Sequence, residues 1–453
     1  MNLWMHELRL VLRSRLCVAA LLLVALLASV AVASGLREVE RQRAQITRLG
    51  PLLQQDLQAV ERKIARSASA GYAAYYSFHP THDAPSDLAF LALGLRDVSP
   101  AVLRVRALGL QAQIHEGETF NPELALAGRF DFAFVLIYLA PLFLVALLHD
   151  LVSGERQTGR LGLLLSMPGA GARLWWRRAV LRAALVFAAL ALPLFAGGLW
   201  SHSVGPALAA ALAVVAAYLL FWTGLCLLIA ARPWSAGAHA TAAMGLWLAL
   251  TLVLPTLAQL WLARSVPVAQ GVELMLKQRE NVHSAWDQPR EPTLQAFFRT
   301  HPEWKDTAPL PATRFHWKWY YAFQQLGDES VADEATAYRK GLLERQRRTE
   351  RLGAWLPGVG AQAALHRLAA TDLPAQLRYQ DRIAAFHARL RAFYYPYVFN
   401  DRPFRAADFA AQPRFDGAVN ERVATPWALL VPLFAMAGLA VALGATALRR
   451  VRP

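Results

Sequence analysis

Cysteine is nearly missing from this chain: its 453 residues include two, Cys17 and Cys226. Both fall inside apolar runs. They can build neither a disulfide framework nor a metal-ligand set, and each reads as a small packing residue. Charge is scarce as well, at 17% of residues, where soluble domains carry about a quarter. The phosphate-cradling pattern G-x-x-x-x-G-K-[ST] does not occur, which excludes the usual way of binding ATP on this chain. G-x-S-x-G, H-E-x-x-H and C-x-x-C are also absent, and with them the commonest hydrolase and dithiol chemistries. His79-Pro-Thr-His82-Asp83 reads as a loop, because proline separates the imidazoles and no further ligands cluster nearby. The expectation is a chain without catalytic, cofactor-binding or metal-binding residues, and not an enzyme.

Hydrophobic residues make up 56% of the chain, and they gather into runs of the roughly 20 residues that cross a bilayer. Six such runs predict an all-α membrane protein with transmembrane helices over 16–34, 132–149, 179–200, 206–231, 238–262 and 427–448. The first is long for a leader peptide, and Ala31-Val32-Ala33 only partly matches a cleavage site, so it is expected to remain as a span. Pro193 and Gly197-Gly198 predict a bend or close helix packing in the third run. The runs hold almost no ionisable residue, and His239 reads as interfacial. An ion-driven carrier would need such groups at membrane depth, so any transport must draw its energy from elsewhere.

The net charge of +15 suggests nucleic acid until its distribution is considered. Thirteen arginines against three acids fall in the termini, in 150–178 with the adjoining Arg182, and at Arg232. This is the positive-inside pattern, with the excess charge facing lipid head groups, and it predicts both termini in the cytoplasm. The short loop 201–205, expected outside, is uncharged. Nucleic acid is not an expected partner; membrane lipid is.

Outside the spans the chain divides into an amphipathic start (1–15), a first extracytoplasmic segment (35–131), a loop (150–178), a large extracytoplasmic domain (263–426) and a tail (449–453). Trp4, Leu8, Val11 and Leu12 share one face of the start, which suits a helix in the interface plane. Val39, Ile46, Leu49, Leu53, Leu57, Val60 and Ile64 recur at helical spacing, with Pro51 kinking or restarting the helix. The large domain carries 23 basic and 18 acidic residues, and its basic run 345–351 reads as a solvated face. The two outer segments are expected to form one mainly helical domain. The tyrosines of 71–78 and the aromatics after Arg314 are expected to pack or to line an interface.

The loop 150–178 carries the most specific signal. GERQTGRLGLLLSMP begins polar, continues as an apolar helical face and stops at Pro168, which predicts one short amphipathic helix. The segment resembles the loop after the second span of type-two ABC transporter permeases, whose pattern is roughly E-R-x-x-G-T-L-x-x-L-L-S-x-P. Glu155, Arg156, Gly159, Leu161, Leu164, Leu165, Ser166 and Pro168 match it, and Arg160 stands where threonine is usual. HELRLVLRSRL at 6–16 is similar to the elbow helix that opens these permeases. AALHRLAATD at 363–372 and FHARLRAFYYPYVFND at 386–401 are similar to the outer domain of a bacterial branch with a large insert before its last span.

The resemblance implies the permease subunit of an ATP-driven transporter, an exporter by the family's bias. It implies a cytosolic ATP-binding subunit holding ATP and Mg, a second permease subunit, identical or paralogous, and a possible extracytoplasmic accessory protein. It assigns coupling to Glu155, Arg156, Gly159, Leu161, Leu163, Leu164 and Pro168, with Leu163 and Leu164 against the ATPase and Glu155 and Gly159 on one helical face. The rival reading is a non-transporting scaffold or sensor that displays the outer domain.

Overall fold

The computed structural model describes residues 3–64, 68–115, 130–166, 172–311, 313, 315–417 and 425–451. The protein is an all-α membrane protein, and among the described residues six helices are long and apolar enough to span a bilayer. A helix over Leu3–Arg13 precedes the first span, which runs unbroken over Arg15–Thr47. At 1.5 Å per residue that span is about 50 Å long, well beyond the roughly 30 Å of hydrocarbon, so it projects from the bundle. The chain restarts as a helix over Leu49–Ile64. Pro51 sits in its first turn, where a missing N–H costs nothing.

The fourth span (Pro206–Ala230) occupies the centre of the bundle. Its partner is the sixth (Trp427–Leu448), and glycine brings the two backbones together. A Cβ at Gly224 would lie 2.4 Å from the Ala440 carbonyl carbon, and one at Gly444 would lie 2.6 Å from the Gly224 oxygen. Without a hydrophobic driving force in lipid, this close approach and its dispersion contacts hold the pair. The third span (Ala172–Trp200) continues as one helix through Pro193. Its glycines serve packing: Gly198 receives Leu208, and Gly197 receives Val32 and the Phe90 ring.

Two spans contain one π-helical turn each, Val135–Leu139 in the second and Ala249–Val253 in the fifth. A π turn breaks the regular i→i−4 ladder and frees carbonyls. Near the first turn, Tyr218 Oη donates to the Ile137 carbonyl at 3.0 Å, and Trp247 Nε1 donates to the Tyr138 carbonyl at 3.1 Å.

At the opposite end of the bundle from residues 151–166, the two long inter-span segments fold together. His79-Pro-Thr-His82 is a strand, not the expected loop: β1 (His79–His82) pairs antiparallel with β2 (Val102–Val105), with His79 opposite Val105. A two-stranded ribbon has free edges on both sides, so Pro80 need not donate to a ladder. The tyrosine-rich helix Ala70–Tyr76 packs on Trp317, so closely at Gly71 that a Cβ there would lie 2.0 Å from the indole. Trp319, Tyr320 and Tyr321 are core residues of this domain.

Two expectations need correction here. The basic run 345–351 is not a free solvated face: Arg345 donates to the Val266 carbonyl at 2.8 Å and Arg348 to Ser265 Oγ at 3.2 Å. These bonds fasten the helix Ala332–Gly353 to the end of the fifth span. The helix Pro357–Ala369, expected in the outer domain, instead buries Ala361, Ala364, Leu365 and Leu368 in the same core as the spans. A Cβ added at its Gly358 would lie 3.5 Å from Tyr218 Oη and 3.6 Å from Ile137 Cγ2. Tyr218 is about 18 Å along the fourth span from Pro206. The helices Ala332–Gly353 and Pro357–Ala369 thus form a hairpin whose second arm is lodged between the spans.

Candidate coupling site

The segment between the second and third spans begins with Leu151, Val152 and Ser153, all buried. A short helix follows over Ser153–Gln157, and a second over Leu161–Ser166. The break between them is chemical. Gly159 adopts φ +71°, a left-handed conformation that other residues enter only at a cost. Its N–H donates to the Arg156 carbonyl at 3.1 Å, and the Arg160 N–H donates to the Glu155 carbonyl at 2.9 Å. This pair of bonds is a Schellman helix stop. The single amphipathic helix expected from sequence is therefore two helices, and Gly159 does not share a helical face with Glu155.

The second helix turns Leu161 into the bundle core, at 3% exposure, while Leu164 and Leu165 pack partly against it. Leu163 is 64% exposed and points away. Gln157, Thr158, Gly159, Arg160, Gly162 and Ser166 are exposed on the same outward surface. Of the two leucines expected to meet a partner, Leu163 is free to do so, and Leu164 is half committed to the chain's own core. Leu161 is an anchor. Pro168 lies outside the described residues.

An ionic chain ties this surface to the bundle. Arg160 Nε donates to Glu155 Oε2 at 2.8 Å, and Arg178 Nη1 donates to Glu155 Oε1 at 2.8 Å. Arg178 also donates through Nε to Glu7 Oε2 at 3.2 Å, and Arg177 donates to Glu7 Oε1 at 3.3 Å. The Arg178 guanidinium lies 5.4 Å from the centre of the buried Trp175 ring. Partial burial pushes the Glu155 carboxyl up, but hydrogen bonds and charge from Arg178 and Arg160 outweigh it, holding the group below the ordinary carboxylate range. The carboxylate's contribution to stability is complete above that ordinary range and is lost as pH falls through the depressed value, so the chain of charges is intact at neutral pH.

Other tethers come from the turn between the fourth and fifth spans. Arg156 Nη1 donates to the Arg232 carbonyl at 3.4 Å. His239, expected to be interfacial, is fully buried, with its ring nitrogens 3.1 Å from the carbonyls of His149 and Arg232. Arg182 donates to the Leu147 carbonyl and lies 3.6 Å from Asp150. Glu7, Arg178 and His239 were not legible as site residues, since Glu7 and Arg178 are 171 positions apart and His239 and His149 are 90 apart.

The profile of the ABC-2 family transporter proteins matches residues 1–284, more than half of the chain. The chain belongs to the ABC-2 transporter family. This ABC-2 protein also matches a domain of unknown function (DUF3526) over residues 272–417, which covers most of the large segment between the fifth and sixth spans. Neither the curated proteins nor the solved structures give a match. Membership makes the chain a multi-pass membrane component of an ABC transporter, a permease subunit. Such a component works with an ATP-binding subunit. In the ABC-2 frame, the loop described above follows the second span and stands at the end of the bundle opposite the DUF3526 domain.

Proposed function

We propose that this ABC-2 protein is the permease subunit of an ATP-driven exporter and that its ATPase docks under residues 153–166. The observation that carries this reading is the division of labour within the loop. Leu161 and Glu155 hold it to the bundle, while exposed Leu163 stands apart from the chain's own core. ATP and Mg would be held by the partner, since this chain has no phosphate loop. The excess of arginine around the loop and termini favours a cytoplasmic location for them. The DUF3526 domain would then stand outside the membrane, where an accessory protein could meet it. A second permease subunit would complete the pathway.

Leu163→Asp tests docking. Burying a leucine in an interface is worth roughly 1.5–3 kcal/mol, and an unpaired carboxylate placed there adds a desolvation cost. The ATPase should dissociate at least about tenfold more readily, a loss of about 1.4 kcal/mol. Thermal stability of the purified chain should change little, because Leu163 is 64% exposed and lies outside the chain's own core. ATPase recovery equal to wild type in a pull-down would show that Leu163 faces lipid or solvent, and would favour the scaffold reading.

Orientation is tested separately. A cysteine replacing exposed Gln288 should react with a membrane-impermeant thiol reagent in intact cells, and one replacing Leu163 only after permeabilisation. The reverse labelling would invert the proposed topology.

A further inference from the structure

We infer that Glu7, on the helix Leu3–Arg13, is a positioning residue for the docking loop, acting through Arg178; this rests on the docking proposed above. Glu7 is the sole acid among residues 1–15. It is 5% exposed on a helix whose Leu3, Met5, Leu10 and Leu12 are exposed. An amphipathic helix of this kind lies in the membrane interface by its apolar face. A buried carboxylate does nothing for such anchoring and is costly unless paired. Here it is paired, and with the arginine that also holds the loop.

Arg178 uses different nitrogens for its two acids, Nη1 for Glu155 and Nε for Glu7. A guanidinium is planar and its donors keep fixed mutual angles. Displacement of Glu155 therefore reorients the donor that Glu7 accepts from. Arg178 lies near the start of the third span, so the helix Leu3–Arg13, the third span and the loop share one junction. Two carboxylates alternate with three guanidiniums along the chain Arg177, Glu7, Arg178, Glu155, Arg160, which leaves one positive charge in excess. Neutralising Glu7 leaves Arg177, of 19% side-chain exposure, without this carboxylate, and Arg178, of 14%, with Glu155 alone. When the ATPase moves the loop, the interfacial helix moves with it.

The test uses the full chain purified with its co-purifying ATP-binding subunit in lipid nanodiscs. Adding a non-hydrolysable ATP analogue should change hydrogen exchange in both 153–166 and 3–13. In Glu7→Gln the change should persist in 153–166 and vanish from 3–13. Stimulation of ATP turnover by the permease should fall about tenfold, within the usual range of coupling between sites. The KM for ATP and the amount of assembled complex should not change. Glu7→Asp, which keeps the charge, should recover at least half of the stimulation, and it supplies the reading if Glu7→Gln accumulates poorly. The double variant of Glu7→Gln with Glu155→Gln should be no worse than the more damaged single variant, because both act through Arg178.

Nucleotide-linked exchange in 3–13 that survives Glu7→Gln, or losses that multiply in the double variant, would overturn the inference. If Glu155→Gln abolishes stimulation while Glu7→Gln does not, only this inference fails. If Glu155→Gln is silent and Leu163→Asp still binds the ATPase, the docking reading fails with it.

Discussion

Replacing Arg391 by leucine should destabilise the domain built from the two long inter-span segments by about 3–5 kcal/mol, as expected for one partner lost from a buried ion pair. Arg391 Nη2 donates to Asp328 Oδ2 at 2.7 Å and to the Leu108 carbonyl at 2.9 Å. Both charged side chains are 12% exposed. Asp328 in turn accepts the backbone N–H groups of Leu110 at 2.8 Å and Gln111 at 3.2 Å. Gln324 accepts the Gly109 N–H at 3.0 Å, and His387 Nε2 lies 2.7 Å from the Leu108 carbonyl.

Residues 108–111 belong to the first long segment, and every one of these side chains belongs to the second. The network therefore joins two pieces of chain separated by more than 200 positions, and leucine at 391 would leave a buried carboxylate with amide donors alone. The measurement is the denaturation midpoint of the purified chain, read by tryptophan fluorescence from the cluster around Trp317 and Trp319. Arg43→Ala removes the exposed pair with Asp87 and should cost no more than about 1 kcal/mol. A shift for Arg391→Leu no larger than this control would show that the network does not hold the domain together.

Gly360→Leu should expel the helix Pro357–Ala369 from between the spans. A Cβ at 360 would sit 2.6 Å from the Gly353 carbonyl oxygen, and that atom is backbone on the facing arm of the hairpin. A flexible side chain could rotate away, but a helix end cannot. Overpacking of a well-filled site costs about 1–3 kcal/mol, and more where nothing yields. The expected readout is chemical protection. A cysteine replacing the fully buried Leu365 should resist a thiol reagent in the native chain and react when Gly360→Leu is added. The matched control is Gly245→Leu, where a Cβ meets nothing within 4 Å. Equal protection in both backgrounds would mean that the hairpin can open without losing its seat.

The length of the apolar runs was enough to read the six spans as helices and the chain as an all-α membrane protein. An apolar run of about 20 residues has one low-energy solution in lipid, the helix, which satisfies its own backbone. The loop motif was legible for the same local reason: its signature lies within fifteen consecutive residues. Even there, Gly159 was read as part of a helix face, although glycine before a new apolar stretch is a helix stop once φ turns positive.

Tertiary structure alone decided which leucine of the loop faces outward, that Glu7 and Glu155 share one arginine, and that residues 357–369 sit among the spans. Local pattern carries no information on these matters. Leu161, Leu163 and Leu164 have identical chemistry, and only the packing of the bundle separates an anchor from an exposed contact. Glu7 and Arg178 lie 171 positions apart. The helix 357–369 has 13 residues, too few to read as a span, and it lodges between spans because small residues on it and glycines at its hairpin crossing let backbones meet. Partnership between distant groups is settled by which surfaces the folded chain leaves next to one another.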